Sequence, residues 1–199
     1  DLYDGVIRAR EAGGAILFDG ASDQGYLDLI EEEVKPWSYM KFPFLKALGP
    51  AAGWYRVGPL ARVQNCDFIP SPLAEAERRE FIAWGRGAPV HATLAYHWAR
   101  MIEALHAAEV IEQLLADPDI LAGDLTSTGN PTNARTGHGV GIIEAPRGTL
   151  IHDYEVGEYD LVTMCNLIVS TTHNNQAMNE AIRHVARRYL HGREVTEGL

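Results

Sequence analysis

Cysteine is scarce in this sequence: Cys66 and Cys165 lie far apart, and neither belongs to a Cys-x-x-Cys pair. A scaffold stapled by several disulfides is therefore excluded. A single disulfide between the two stays open as an alternative. The preferred interpretation is two reduced, buried thiols that take part in neither catalysis nor metal ligation.

Basic residues are also few, and long apolar runs are absent from the sequence. The chain has 17 Lys and Arg against 27 Asp and Glu, a formal net charge of −10. An acidic surface repels phosphate backbones, so nucleic acid is not an expected partner. No apolar run approaches the roughly 18 residues of a membrane-spanning helix. With 46% hydrophobic residues, the chain has enough apolar surface to bury a core.

The hydrophobic periodicity predicts a mainly helical α+β fold. Helices are expected over 3–12, 23–34, 72–84, 89–116 and 175–190, with Ser71 as the N-cap and Pro72 in the first position of the third. A β-hairpin is expected from a strand near 141–154 and a return strand over 161–170. The stretch 36–70 is expected to be irregular but well packed, and 122–139 to be a polar loop. Together these indicate a long-helix bundle with a small antiparallel sheet.

The most informative segment is Ala145-Pro146-Arg147-Gly148. Proline has no N–H, so we expect it to interrupt the strand, and glycine beside it permits close approach of the backbone to a ligand. Arg147 offers a planar, always charged fork of donors. One interpretation is a bulged strand whose surface arginine pairs with a carboxylate, and the other is a site for a small anion.

A second polar cluster, Ser170-Thr171-Thr172-His173-Asn174-Asn175, opens the last helix. A helix N-terminus carries free N–H groups and partial positive charge. Ordinary N-capping by Thr172 or Asn174 is expected there in any case. We expect the hairpin to bring this cluster and Arg147 to the same end of the sheet, where their donors would converge on one anion.

Three segments, in order along the chain, resemble the large, catalytic subunit of nickel-iron hydrogenases. They are Tyr-Arg-Val-Gly-Pro-Leu-Ala-Arg at 55–62, the segment 139–150 with His152, and the segment 166–175. The Thr-His-Asn-Asn form of the third resembles the soluble, NAD-reducing branch, since the membrane-bound uptake branch has tryptophan in place of His173. The resemblance extends over essentially all 199 residues.

The resemblance implies a nickel-iron centre, held by two Cys-x-x-Cys pairs, with cyanide and carbon monoxide on the iron. Neither pair occurs in this sequence. We therefore expect residues 1–199 to form one domain segment inside a longer large subunit, with no metal ligand of its own and no activity in isolation. By resemblance, Arg147 is the catalytic residue, Arg147 and Thr171 donate to the iron cyanides, Pro146 lines the pocket, and Thr172 lies beside them.

The resemblance also implies the setting of the reaction, which is reversible H2 oxidation coupled to NAD reduction. The expected partners are an iron-sulfur small subunit and a flavin and NAD diaphorase module, which carry the iron-sulfur clusters, FMN and NAD. The assembly is expected to be a cytoplasmic hetero-oligomer without a membrane span.

Two other functions stay open at this point. One is the quinone-site subunit of respiratory complex I, which resembles this family and lacks the metal. Its related motif usually has lysine after the proline, so Arg147 argues against it. The other is a metal-free structural or assembly module with the same fold.

Overall fold

The structure is a computed structural model that describes residues 6–123, 137–193 and 197. Its strands are β1 (Ile7–Arg10), β2 (Ile16–Ala21), β3 (Ile30–Val34), β4 (Lys41–Leu45), β5 (Gly137–Ala145), β6 (Gly148–Val156) and β7 (Val162–Ile168). Its α-helices are α1 (Tyr26–Leu29), α2 (Gly49–Ala52), α3 (Pro59–Asn65), α4 (Pro72–Trp84), α5 (Ala95–Leu115) and α6 (Asn175–Tyr189). The predicted α+β class with antiparallel strands is confirmed. Within the described residues the strands form the pairs β1-β2 and β3-β4 and the sheet β5-β6-β7.

The chain begins with a β-hairpin where the sequence predicted a helix over 3–12. Residues 3–5 lie outside the described part, and β1 pairs antiparallel with β2. Gly14, expected to end the helix, lies in the turn at φ +103, a conformation that favours glycine. The prediction was wrong because local periodicity does not distinguish strand from helix in so short a segment.

The next two predictions were correct only in part. The segment 23–34 is helical through the 3-10 turn Asp23–Gly25 and α1, but its three glutamates lie on strand β3. That strand pairs with β4, which lies inside the stretch predicted to be irregular. The same stretch also contains the helices α2 and α3. Burial of Phe42 and Phe44 on β4 is a tertiary effect that outweighs the weak helical preference of the glutamate run.

Helix α4 begins at Pro72 and ends at Trp84, as predicted. Its N-terminus is capped differently from the prediction, because the Ser71 side chain makes no cap hydrogen bond and instead pairs with His106 Nδ1. The carboxylate of Glu109 accepts from the Leu73 and Ala74 amides at 3.0 and 2.9 Å.

The long helix α5 begins at Ala95, later than the predicted 89, and ends at Leu115 as expected. It packs against α3 and α4. Their shared core consists of Leu60, Val63, Ala74, Phe81, Val90, Ala95, Ala99 and Ile102. These helices therefore form a compact helical layer, and α3 carries the first of the three sequence segments singled out above.

The sheet β5-β6-β7 replaces the predicted two-stranded hairpin. Its core side buries Ile151 and Ile168 against α1 and β3. A polar group lies among them: the buried Asp153 carboxylate accepts from Tyr26 Oη at 2.7 Å and pairs with His138 Nε2 at 2.6 Å. Asn166 Nδ2 donates to Tyr26 Oη at 2.9 Å. Burial, with the Asp153 charge, raises the pKa of Tyr26 to about 12, so the phenol stays protonated as the donor to Asp153.

Helix α6 matches its predicted bounds except for the last residue. The sequence pattern places apolar residues on one face of this helix, and three of them, Met178, Ile182 and Val185, are exposed. Most of the predicted polar loop 122–139 lies outside the described residues, and positions 137–139 open strand β5. No helix in the described ranges is long and apolar enough to cross a membrane.

Replacing Tyr26 by phenylalanine is expected to lower the free energy of unfolding by about 1–3 kcal/mol. The ring keeps its packing, but one oxygen of the buried Asp153 loses its donor. Urea unfolding of the two proteins measures the difference. Tyr39→Phe, at a fully exposed tyrosine, is the matched control and should change stability by less than about 0.5 kcal/mol. Equal effects from both substitutions would contradict the role given to the buried phenol.

Candidate functional site

Pro146 and Arg147 form the two-residue turn between β5 and β6. Ala145 pairs with Gly148 across the turn, and both turn residues are exposed. The prediction that Pro146-Arg147-Gly148 interrupts a single strand was wrong, because the chain reverses direction there. Proline suits a turn because its φ is fixed and no ladder partner is needed for its nitrogen. Gly148 follows at φ +141, which few other residues adopt. Arg147 therefore lies at a hairpin tip.

Thr171 and Thr172 lie where β7 leads into α6, through the 3-10 turn Thr172–Asn174. The expected capping is not observed. Thr171 makes no side-chain cap hydrogen bond to this turn, and Asn174 makes none to α6. The Asn174 amide oxygen instead accepts from the Val57 backbone N–H at 2.9 Å. The junction thus faces the segment that precedes α3.

Val57 and Gly58 also contact the hairpin tip, so they connect the two predicted parts of the site. A Cβ on Gly58 would lie 2.9 Å from the Arg147 carbonyl oxygen, and a Cβ on Gly148 would overlap the Val57 side chain. Gly58 has φ +102 and precedes Pro59 at the start of α3. Two glycines therefore permit a backbone-to-backbone contact that a side chain would block.

A second connection joins Tyr55 to the junction. Tyr55 Oη lies 2.6 Å from Nδ1 of the buried His173. Burial lowers the pKa of His173 to about 4, with the Ile168 carbonyl opposing that shift, and burial raises the pKa of Tyr55. Both groups are therefore neutral near pH 7, and the histidine tautomer decides which of the two donates in this hydrogen bond. No role was predicted for His173 beyond its branch-specific identity.

The three segments that resemble the hydrogenase family, 55–62, 139–150 and 166–175, are thus in contact with one another. Segment 55–62 touches the hairpin tip through Val57 and Gly58, and touches the junction through Tyr55 and Val57. The residues predicted to form the site are placed on the two elements that dock on this segment. The predicted convergence of the two elements is reproduced at the level of the backbone.

Within the described residues, the polar groups predicted to bind a ligand make no hydrogen bond or ion pair. Among the described residues, no hydrogen bond or ion pair engages the Arg147 guanidinium, and none engages the hydroxyls of Thr171 or Thr172. The alternative interpretation paired Arg147 with a surface carboxylate. No such ion pair forms among the described residues. These donors are therefore open to water or to an acceptor outside the described residues.

Arg62 is a residue of the site that the sequence interpretation missed. Its guanidinium donates to the carboxylates of Glu103 and Glu144 and to the carbonyl oxygens of Ala145 and Pro146. The one sequence feature that could have pointed to Arg62 is its position in segment 55–62, one helical turn after Gly58. Its partners could not be read from the sequence, since they lie 41 to 84 residues away.

A metal-ligand set is not present in the described residues. They contain no group of three or more His, Cys, Asp or Glu side chains close enough to hold an ion. Cys66 is half-buried, and its burial raises the pKa of the thiol, whereas Cys165 is exposed. The two cysteines are free thiols.

Known proteins similar to this chain indicate a single family. Residues 12–191 match the family described as nickel-dependent hydrogenase. The chain is 51% identical to the beta subunit of the NAD-reducing hydrogenase HoxS of Cupriavidus necator, over 100% of this chain and 41% of that protein. It is also similar to a crystal structure of an NAD+-reducing NiFe-hydrogenase in the H2-reduced state. There the TM-score is 0.88 at 55% identity, covering 99% of this chain and 43% of that one.

The chain thus spans about two fifths of the length of these relatives, at 41% and 43% coverage. Both the match over 12–191 and the identity over the whole chain cover all three segments that meet at the hairpin tip. On this evidence, the chain belongs to the nickel-dependent hydrogenase family.

Proposed function

We propose that residues 1–199 form one domain segment of the large subunit of an NAD-linked nickel-iron hydrogenase, which oxidises H2 reversibly. The segment supplies residues around the nickel-iron centre rather than its metal ligands. The observation that carries the proposal is the pair of donors, Arg147 and Thr171, with no partner among the described residues, on two elements that both contact Val57.

The donor chemistry fits an anionic ligand of a metal centre. Arg147 brings a permanent charge and a planar fork of N–H groups, and Thr171 brings one hydroxyl donor. A metal-bound cyanide is an anionic acceptor, and charge-assisted hydrogen bonds to it would fix its orientation. Thr172 would line the same side, and Pro146 would present an apolar edge. The ligand cysteines would come from outside these residues, since no Cys-x-x-Cys pair occurs among them.

The nickel-iron centre would supply the heterolytic cleavage of H2. Arg147 would contribute a fixed positive charge beside the charge that develops when the molecule is split. A pre-organised cation stabilises such charge without reorganisation during the reaction. An arginine stays protonated at neutral pH, so Arg147 positions and stabilises, and the proton goes to another group.

In the whole protein, the proposal includes the route of the electrons from H2 to NAD. Electrons pass to NAD through an iron-sulfur small subunit and a flavin and NAD diaphorase module, in a cytoplasmic hetero-oligomer. The names of the NAD-reducing relatives support this setting. Nickel analysis and H2-dependent NAD reduction by the full-length protein with its partner subunits test it. Absence of nickel and of H2-dependent reduction would favour a metal-free role, such as that of the complex I-related subunit.

Arg147→Lys in the full-length enzyme is expected to retain nickel and to reduce H2 oxidation by roughly 10²–10³-fold, the usual cost of losing one such donor. Lysine keeps the charge but loses the planar fork. H2-oxidation assays at equal nickel content measure the effect. Arg79→Lys, at an exposed arginine of α4, is the control and should leave turnover unchanged. Turnover at the wild-type level in Arg147→Lys would rule out the proposed role.

Thr171→Val is expected to shift the infrared cyanide bands while changing turnover less than Arg147→Lys does. Valine nearly preserves the shape of threonine but removes the hydroxyl donor. Infrared spectra of nickel-loaded protein are the measurement. Thr163→Val, at an exposed threonine whose hydroxyl donates to the Glu155 carbonyl, should leave the bands in place. Unshifted bands in Thr171→Val would mean that this hydroxyl does not donate to cyanide.

A further inference from the structure

The Arg62 guanidinium makes five hydrogen bonds, three of them to the β5-β6 hairpin and two to Glu103 on α5. Its Nε and Nη2 donate to the two oxygens of Glu103 at 2.6 and 2.8 Å. Its Nη1 donates to Glu144 Oε2 and to the Ala145 carbonyl, both at 2.8 Å, and Nη2 donates to the Pro146 carbonyl at 3.2 Å. The side chain is only 16% exposed, so these contacts are largely shielded from water.

The charges around Arg62 keep the guanidinium in place. Burial opposes its charged form, but the bonds to Glu103 and Glu144 outweigh that effect and raise the pKa of Arg62. Glu144 Oε1 also accepts from the Thr149 hydroxyl at 2.5 Å. Glu144 and Thr149 face each other across the hairpin. The carboxylate is therefore tied to both strands beside the turn as well as to Arg62.

The first turn of α3 contacts three successive carbonyl groups at the tip. Arg62 binds the carbonyls of Ala145 and Pro146, and Gly58 lies against the carbonyl of Arg147. Gly58 and Arg62 are themselves joined, since the Arg62 amide donates to the Gly58 carbonyl at 2.9 Å. The peptide groups on both sides of the Arg147 side chain are thus fixed by one helical turn.

We propose that Arg62 is a positioning residue that sets the direction of the Arg147 guanidinium towards its anionic ligand. This inference rests on the proposed function, in which Arg147 faces a cyanide ligand of the nickel-iron centre. Glu103 anchors the far side of the Arg62 fork, and Glu144 anchors the near side. A lysine could not replace Arg62, because an ammonium group lacks the planar fork that engages Glu103 with two atoms while reaching two carbonyls.

The test is Arg62→Lys in the full-length, nickel-loaded enzyme, read by infrared spectroscopy and H2 oxidation at equal nickel content. The cyanide bands should shift, and turnover should fall by roughly 10²-fold, as expected when a reacting group is misplaced by about 1 Å. Unshifted bands with turnover near the wild-type level would overturn the proposal. If Arg147→Lys and Thr171→Val still gave their expected results, the proposed function would stand.

Arg78→Lys is the matched control for a merely structural effect. Arg78 is also largely buried, with 11% side-chain exposure against 16% for Arg62. It binds both oxygens of Glu75 and the carbonyls of Cys66 and Asp67. Its replacement should lower the thermal midpoint but leave the cyanide bands in place. Equal band shifts in both variants would overturn the positioning role, since general destabilisation would then explain them.

Glu103→Gln decides the matter if Arg62→Lys yields no nickel-loaded protein. The glutamine amide turns an N–H group towards Arg62, so one bond of the bidentate pair is lost while the side chain keeps its size. A band shift smaller than that of Arg147→Lys is expected. Unchanged bands in this variant would then overturn the proposal.

Discussion

The backbone of Gly58 lies against the Arg147 carbonyl, and the Val57 side chain lies against Gly148, so neither glycine leaves room for a Cβ. A Cβ at Gly58 would meet the Arg147 carbonyl at 2.9 Å, and one at Gly148 would overlap Val57. Through this contact the helical layer of α3, α4 and α5 reaches the tip of the β5-β6 hairpin. Asn174 also accepts from the Val57 amide. The junction between β7 and α6 is therefore held against the same segment.

Hydrogen-bond donors at this point divide into two groups. Those of Arg62 and the Val57 amide bind internal acceptors. Those of Arg147, Thr171 and Thr172 have no acceptor among the described residues. Arg62 therefore binds the main chain of the hairpin tip, whereas the Arg147 side chain is exposed at the same tip.

Helices with strong boundary residues could be predicted from the sequence. Strands and turns that depend on pairing with distant segments could not. Pro72 marks the start of α4 well because proline placement is a local effect, although the Ser71 side chain does not cap the helix. Strand β1 was taken for a helix because its partner β2 is what decides its conformation. The turn at Pro146-Arg147 was taken for a bulge for the same reason, since the Ala145–Gly148 pair is not visible in the local pattern.

The candidate site shows the same division. Arg147, Pro146, Thr171 and Thr172 were identified from residue chemistry and from resemblance, and their role is still a prediction. Arg62 was not identified as a site residue, and Asn174 was expected only to cap a helix, because their partners lie 82 and 117 residues away. Local chemistry reveals which groups suit a ligand, whereas the contacts that aim those groups depend on the tertiary fold.

The shape of the hairpin tip depends on main-chain atoms and on neighbouring side chains, not on the side chain of residue 147. Arg62 binds the carbonyls of residues 145 and 146, and Gly58 contacts the carbonyl of residue 147. A mutation at 147 would therefore alter the chemical group on display while every contact that builds the tip is retained. In evolutionary terms, such a position is free to diverge by single substitutions, so one scaffold can acquire or lose a reaction without passing through an unfolded ancestor.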